Sequence, residues 1–177
     1  MSNFTLLSRA LLTVVQKLRG SRRNNKINKW HVKNFRPNHC SIGAGQAIYR
    51  FVTGKDVSDR ELTKMVEFIA GDGQSVSDDG AKLSVVLKAL RKLGAEFTCE
   101  TIHEMKTTRR LEGKMLALGD EEMYGGEPHS ILLYREQGVC WLFDCINPAG
   151  AYTVTEIEAL ELIEKSDADC FLVTRRV

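Results

Sequence analysis

An α+β fold, with a helical N-terminal half and a C-terminal antiparallel sheet, is predicted by two features of the 177-residue sequence. From Cys40 to Leu93, apolar residues recur at spacings of three and four, the period of helices with one buried face. Beyond Ala95 the pattern changes to short branched or aromatic runs separated by turn residues, the signature of strands. With 43% apolar and 27% charged residues, the chain has material for one core. No apolar run approaches the roughly 20 residues that a spanning helix requires, so a transmembrane chain is set aside.

Taken in order, residues 4–19 place Leu7, Leu11, Val14, Val15 and Leu18 on one face, predicting an amphipathic helix closed by Gly20. A basic, Asn-rich tract follows, so residues 1–29 are predicted to be an arm and residues 30–177 the folded body. Cys40 to Val52 predicts a helix whose small residues Ser41, Gly43, Ala44, Gly45 and Ala47 allow close packing. Ser58 with Glu61 forms a capping box ahead of a helix over 59–70. A third helix is predicted from Gly80 to Leu93, with Gly94 as its cap.

Strands are predicted at Ala95 to Cys99, Lys114 to Leu118, Ser130 to Tyr134, Val139 to Asp144 and Cys170 to Thr174. Arg135 to Gly138 forms a hairpin turn, and Thr155 with Glu158 opens a helix to about Ile163.

The net charge of +2 conceals an asymmetry. Residues 1–54 carry ten Lys or Arg and no acid, whereas the remainder carries 15 basic and 23 acidic side chains. A basic amphipathic arm of this kind is expected to lie on an anionic membrane surface, the alternative being that Leu7, Leu11, Val14 and Leu18 pack on the body as an extra helix. Nucleic acid is a poorer partner, because only Trp30 and Phe35 lie close to the basic tract for base stacking and no recognised motif is present. The five cysteines are odd in number and lack any CxxC, which points to a reducing compartment and to no metal or other cofactor.

Three residues carry the chemistry. Cys40 stands at a predicted helix start, where unpaired N–H groups and the helix dipole favour a thiolate; the alternative is an inert buried cysteine. His129 opens one predicted strand and Asp144 ends its hairpin partner, so with a turn centred near Gln137 the two fall nearly opposite each other. An imidazole oriented by a carboxylate can deprotonate a thiol and later protonate a leaving amine. Asn147 competes with Asp144 for the third position. Gly43-Ala44-Gly45 and Gly71-Asp72-Gly73 lack the context of phosphate loops. His31 and His39 are read as linker or subsite residues, and Asp120, Glu121 and Glu122 as an acidic loop bordering the cleft.

A helix-initial Cys, then a His opening a strand and an Asp closing the next, resembles the papain-like cysteine proteases. The stretch from His129 to Tyr134, Trp141-Leu142-Phe143-Asp144 and Asn147-Pro148 look most like the compact branch of bacteriocin-exporter peptidases, papain-fold toxins and bacterial effectors, over residues 34–177. The surround Cys40-Ser41-Ile42-Gly43 departs from the Cys-Gly-Ser-Cys-Trp pattern of the larger enzymes. The resemblance implies a protein substrate, a Cys40-His129-Asp144 triad, and an oxyanion-hole amide upstream of the nucleophile. Asn34 occupies that place and Asn38 is the substitute, although both also suit turns. It further implies a cytoplasmic enzyme or one secreted into a host cell. A glutamine deamidase or transglutaminase-type enzyme is the alternative on the same fold, and a non-catalytic adaptor docked through the basic arm is the alternative of another class.

Overall fold

The computed structural model describes residues 25–34, 36–71, 73, 75–120, 129–166 and 169–176. Among these residues, five helices precede the first strand: α1 (Asn25–Asn28), α2 (Cys40–Thr53), α3 (Asp59–Ala70), α4 (Val76–Asp79) and α5 (Leu83–Lys92). Then come β1 (Phe97–Thr101), a 3-10 turn (Thr108–Leu111), β2 (Met115–Asp120), β3 (His129–Glu136), β4 (Val139–Phe143), β5 (Tyr152–Val154), α6 (Glu156–Lys165) and β6 (Asp169–Arg175). The six strands form one sheet in the order β1-β6-β2-β3-β4-β5, with every neighbouring pair antiparallel. The predicted α+β class is therefore the observed one.

Local chemistry sets the helix starts. Ser58 caps α3 by accepting a hydrogen bond from the Glu61 N–H, and Thr155 and Glu158 complete a reciprocal capping box on α6. The third predicted helix begins at Leu83 and not at Gly80, because Gly80 lies at φ +73° and closes α4. Such a left-handed residue interrupts a helix. Strand β5 was not predicted; only three residues long, it fits between the Gly150 turn and the α6 cap.

Alternation along the strands gives the sheet two apolar faces. Met115, Ala117, Leu132, Tyr134 and Phe143 pack under α2, α3 and α5, whereas Leu116, Leu118, Ile131, Leu133 and Leu142 pack with Ala159 and Ile163 of α6. Helix α2 sits close to both its neighbours. A Cβ at Gly45 would lie 2.4 Å from Val86 of α5, and one at Gly43 would lie 2.7 Å from the Cys145 Cβ just past β4. The small residues seen in the sequence thus serve close packing on the sheet and on the helices.

The predicted arm boundary at residue 29 falls too late. Ile27 is fully buried in the main core, and the Asn28 Oδ1 accepts the Ala151 N–H at 2.9 Å. Trp30 joins Phe51 and Tyr134 in an edge-to-face aromatic cluster. The basic tract hid Ile27, a single apolar residue without periodic neighbours. The predicted helix over 4–19 lies outside the described residues. A chain lacking residues 1–29 is expected to be less stable than one lacking only 1–24, by on the order of 2–5 kcal/mol, since it loses a buried isoleucine. Paired thermal or urea melts check this, and equal stabilities would place Ile27 outside the cooperative core.

Candidate active site

The site lies where α2 meets the end of the sheet. Cys40 is the first residue of α2, His129 the first of β3, and Asp144 the first residue after β4. The hairpin is closed by Gln137 and Gly138, both at positive φ, the pattern of a two-residue turn whose twist matches that of its strands. This turn pairs Leu132 with Phe143, and counting on from there puts Asp144 beside Ile131, two residues along β3 from His129. The expected near-opposite pairing is therefore a diagonal one, and the side chains close it. The His129 Nε2–H donates to the Asp144 Oδ1 at 3.0 Å, with both side chains buried. That bond leaves Nδ1 for the Cys40 thiol, with which the ring also hydrogen-bonds.

The electrostatics favour an ion pair. Burial works against a thiolate at Cys40, but hydrogen bonding and charge from His129, with the backbone and hydroxyl of Ser130, outweigh it and hold the thiol below its ordinary pKa. Burial likewise disfavours an imidazolium at His129, yet Asp144 and then Cys40 raise its pKa to about 9. Cys145, immediately after Asp144, behaves oppositely. Burial, then the nearby charges of Asp144 and Cys40, push its thiol well above the usual range. It stays protonated, and its sulfur lies 3.8 Å from the Cys40 carbonyl oxygen.

The segment ahead of α2 ties the helix layer to the sheet. His31, which burial keeps neutral, donates from Nε2 to the Asp144 carbonyl at 2.9 Å, and the Asn34 backbone N–H donates to the Cys145 carbonyl at 3.0 Å. Neither His31 nor His39 is a linker residue; both are buried. His39 caps α2 without a side-chain hydrogen bond to the helix and instead donates from Nδ1 to Asp59 at 3.0 Å.

The two predicted oxyanion amides differ. The Asn38 Nδ2, in a left-handed turn at φ 60°, donates to the carbonyls of Ser77 and Asp78 on α4, so its donors are spent on holding that turn. Asn34 is buried and gives one N–H to Asp59 at 2.8 Å, which leaves the amide a second hydrogen. The ring of His129 bonds Asp144, whereas the Oδ1 of Asn147, the other candidate for the third position, accepts the Ala149 N–H. Asp59 and Ser130, which the sequence does not single out, lie against His39 and Cys40, whereas His31 fits the subsite half of its expected reading. Of Glu121 and Glu122 nothing is described, and among the described residues no group of three or more His, Cys, Asp or Glu is placed to hold a metal.

No protein-family model and no curated protein matches this chain. Among solved structures, the crystal structure of the Pseudomonas avirulence protein AvrPphB is similar over 83% of this chain and 97% of that one, with 14% identity and a TM-score of 0.40.

Proposed function

We propose that this chain is a papain-like cysteine protease that cleaves protein substrates through a thioester at Cys40. The observation that carries the reading is the continuous hydrogen-bonded line from the Cys40 sulfur through His129 to Asp144, with the sulfur at a helix N-terminus. The thiolate attacks the substrate carbonyl carbon, and the carbonyl electron pair moves to oxygen. Donors for that oxyanion are the Cys40 N–H and the remaining N–H of Asn34. As the C–N bond breaks, the His129 imidazolium gives its proton to the leaving amine, and the thioester remains. Neutral His129 then takes a proton from water, whose oxygen displaces the sulfur and releases the acid.

A thiolate nucleophile and five cysteines without a disulfide suit a reducing compartment, the cytoplasm of its own or of a host cell. The same triad attacks a side-chain amide, and the choice of substrate is tested directly. Incubation with β-casein followed by intact-mass analysis is expected to give fragments. A gain of about one dalton per site without fragments indicates glutamine deamidation instead, since hydrolysis replaces an amide nitrogen by oxygen. In parallel, iodoacetamide near neutral pH is expected to label Cys40 well ahead of the other four cysteines. Uniform labelling with unchanged casein overturns the catalytic reading and favours an adaptor.

A further inference from the structure

We propose that Asp59 is a positioning residue for the Cys40 site: its carboxylate, carried on α3, fixes the Asn34 amide and the His39 imidazole just ahead of the nucleophile. The proposal rests on reading Cys40 as that nucleophile. Asp59 Oδ2 accepts from Asn34 Nδ2 at 2.8 Å and from His39 Nδ1 at 3.0 Å, while Oδ1 accepts from Arg36 Nη1 at 2.6 Å. Three donors from one six-residue stretch thus converge on a single carboxylate from another element. The described residues of that stretch belong to no helix or strand that would hold them.

The geometry fixes more than position. A carboxylate only accepts and a backbone N–H only donates, so the Asn34 amide has one consistent orientation, with Nδ2 toward Asp59 and Oδ1 accepting the Arg36 N–H at 3.2 Å. With both ends held, the second Nδ2 hydrogen has a fixed direction, as an oxyanion donor requires. His39 is the residue preceding α2, so the same carboxylate also anchors the helix start that presents the Cys40 N–H. Asp59 itself does not wander, because it occupies the first turn of α3, behind the Ser58 cap. Arg36 is largely exposed, which makes Asn34 and His39 the effective arms of the clamp.

The test separates oxyanion positioning from general support. Alkylation of Cys40 by iodoacetamide needs the thiolate but no oxyanion donor, whereas amide hydrolysis needs both. In Asp59→Asn, kcat on labelled casein is expected to fall on the order of 10–100-fold, with KM and the Cys40 alkylation rate within about twofold of wild type. Asp59→Glu is expected to recover most of the loss. An unchanged kcat overturns the proposal, and so does a parallel fall of hydrolysis and alkylation, which marks a merely structural role. If Asp59→Asn does not fold, Asn34→Ala must reproduce the same split, and its failure to do so overturns the proposal equally. The clamp is also read without substrate: the Asn34 side-chain amide protons are expected to be shifted and protected in wild-type NMR spectra, and ordinary, fast-exchanging signals overturn it. Loss of preferential Cys40 labelling in the wild type is a different outcome, which sinks the protease reading and not the clamp.

Discussion

Replacing Cys40 or His129 by alanine is expected to lower hydrolysis of casein by on the order of 10⁴-fold or more, and the double variant is expected to be scarcely worse than either single one. The two side chains share one proton and one hydrogen bond, so removing either removes the same function. Without the sulfur there is nothing to form the thioester. Without the imidazole the thiol loses the partner that holds its pKa down, and the leaving amine loses its acid. Cys99→Ala, Cys140→Ala and Cys170→Ala serve as controls, since these thiols lie in β1, β4 and β6 and not at a helix start. Additive losses in the double variant, or an equal loss in a control that still folds, would show that the nucleophile is another residue.

Asp144→Ala is expected to cost on the order of 10²-fold in kcat/KM and to change the shape of the pH profile. Burial alone disfavours the charged imidazole; the Asp144 carboxylate is the largest contribution that reverses this and carries His129 to about 9. The working pair is thiolate with imidazolium, so wild-type activity should fall at low pH as the pair gains a proton and at high pH as it loses one, with the alkaline limb near pH 9. Removing the carboxylate lets burial prevail and moves that limb toward lower pH. Asp144→Asn keeps an acceptor for the His129 Nε2–H but not the charge, so it should shift the limb while costing less in rate. An alkaline limb unmoved in both variants would mean that Asp144 does not set the charge on His129.

The sequence made some of this site legible because those parts are local. A cysteine ahead of small residues and an apolar helical period marks a helix start that carries a thiol, and a hairpin with one clear turn places a His near an Asp to within a residue or two. The diagonal between His129 and Asp144 lies inside that margin, since it depends on where Gln137 and Gly138 put the turn. What stayed hidden was long-range. Asp59 reads as an ordinary acid in the first turn of a capped helix, and only the fold brings Asn34, Arg36 and His39 onto it. Ser130 is one polar residue in an apolar strand, and its contact with Cys40 depends on how α2 crosses the sheet end. Ile27 shows the reverse error, a core residue concealed in a basic tract.

The strap formed by His31 and Asn34 has a consequence for the order in which the site comes into being. The His129–Asp144 bond closes over a separation of 15 residues, within a hairpin that can pair on the microsecond scale. By contrast, His31 reaches Asp144 across 113 residues, and Cys145 meets the Cys40 carbonyl across 105. Contacts of such separation raise the contact order and await the collapse of the whole chain. The His129–Asp144 pair is thus expected to be available early, whereas Cys40 joins it only when the N-terminal strap closes on the segment after β4. With Cys40 as the nucleophile, a nascent chain is expected to hold the histidine–aspartate pair before it holds an activated thiolate, so that reactivity follows completed folding.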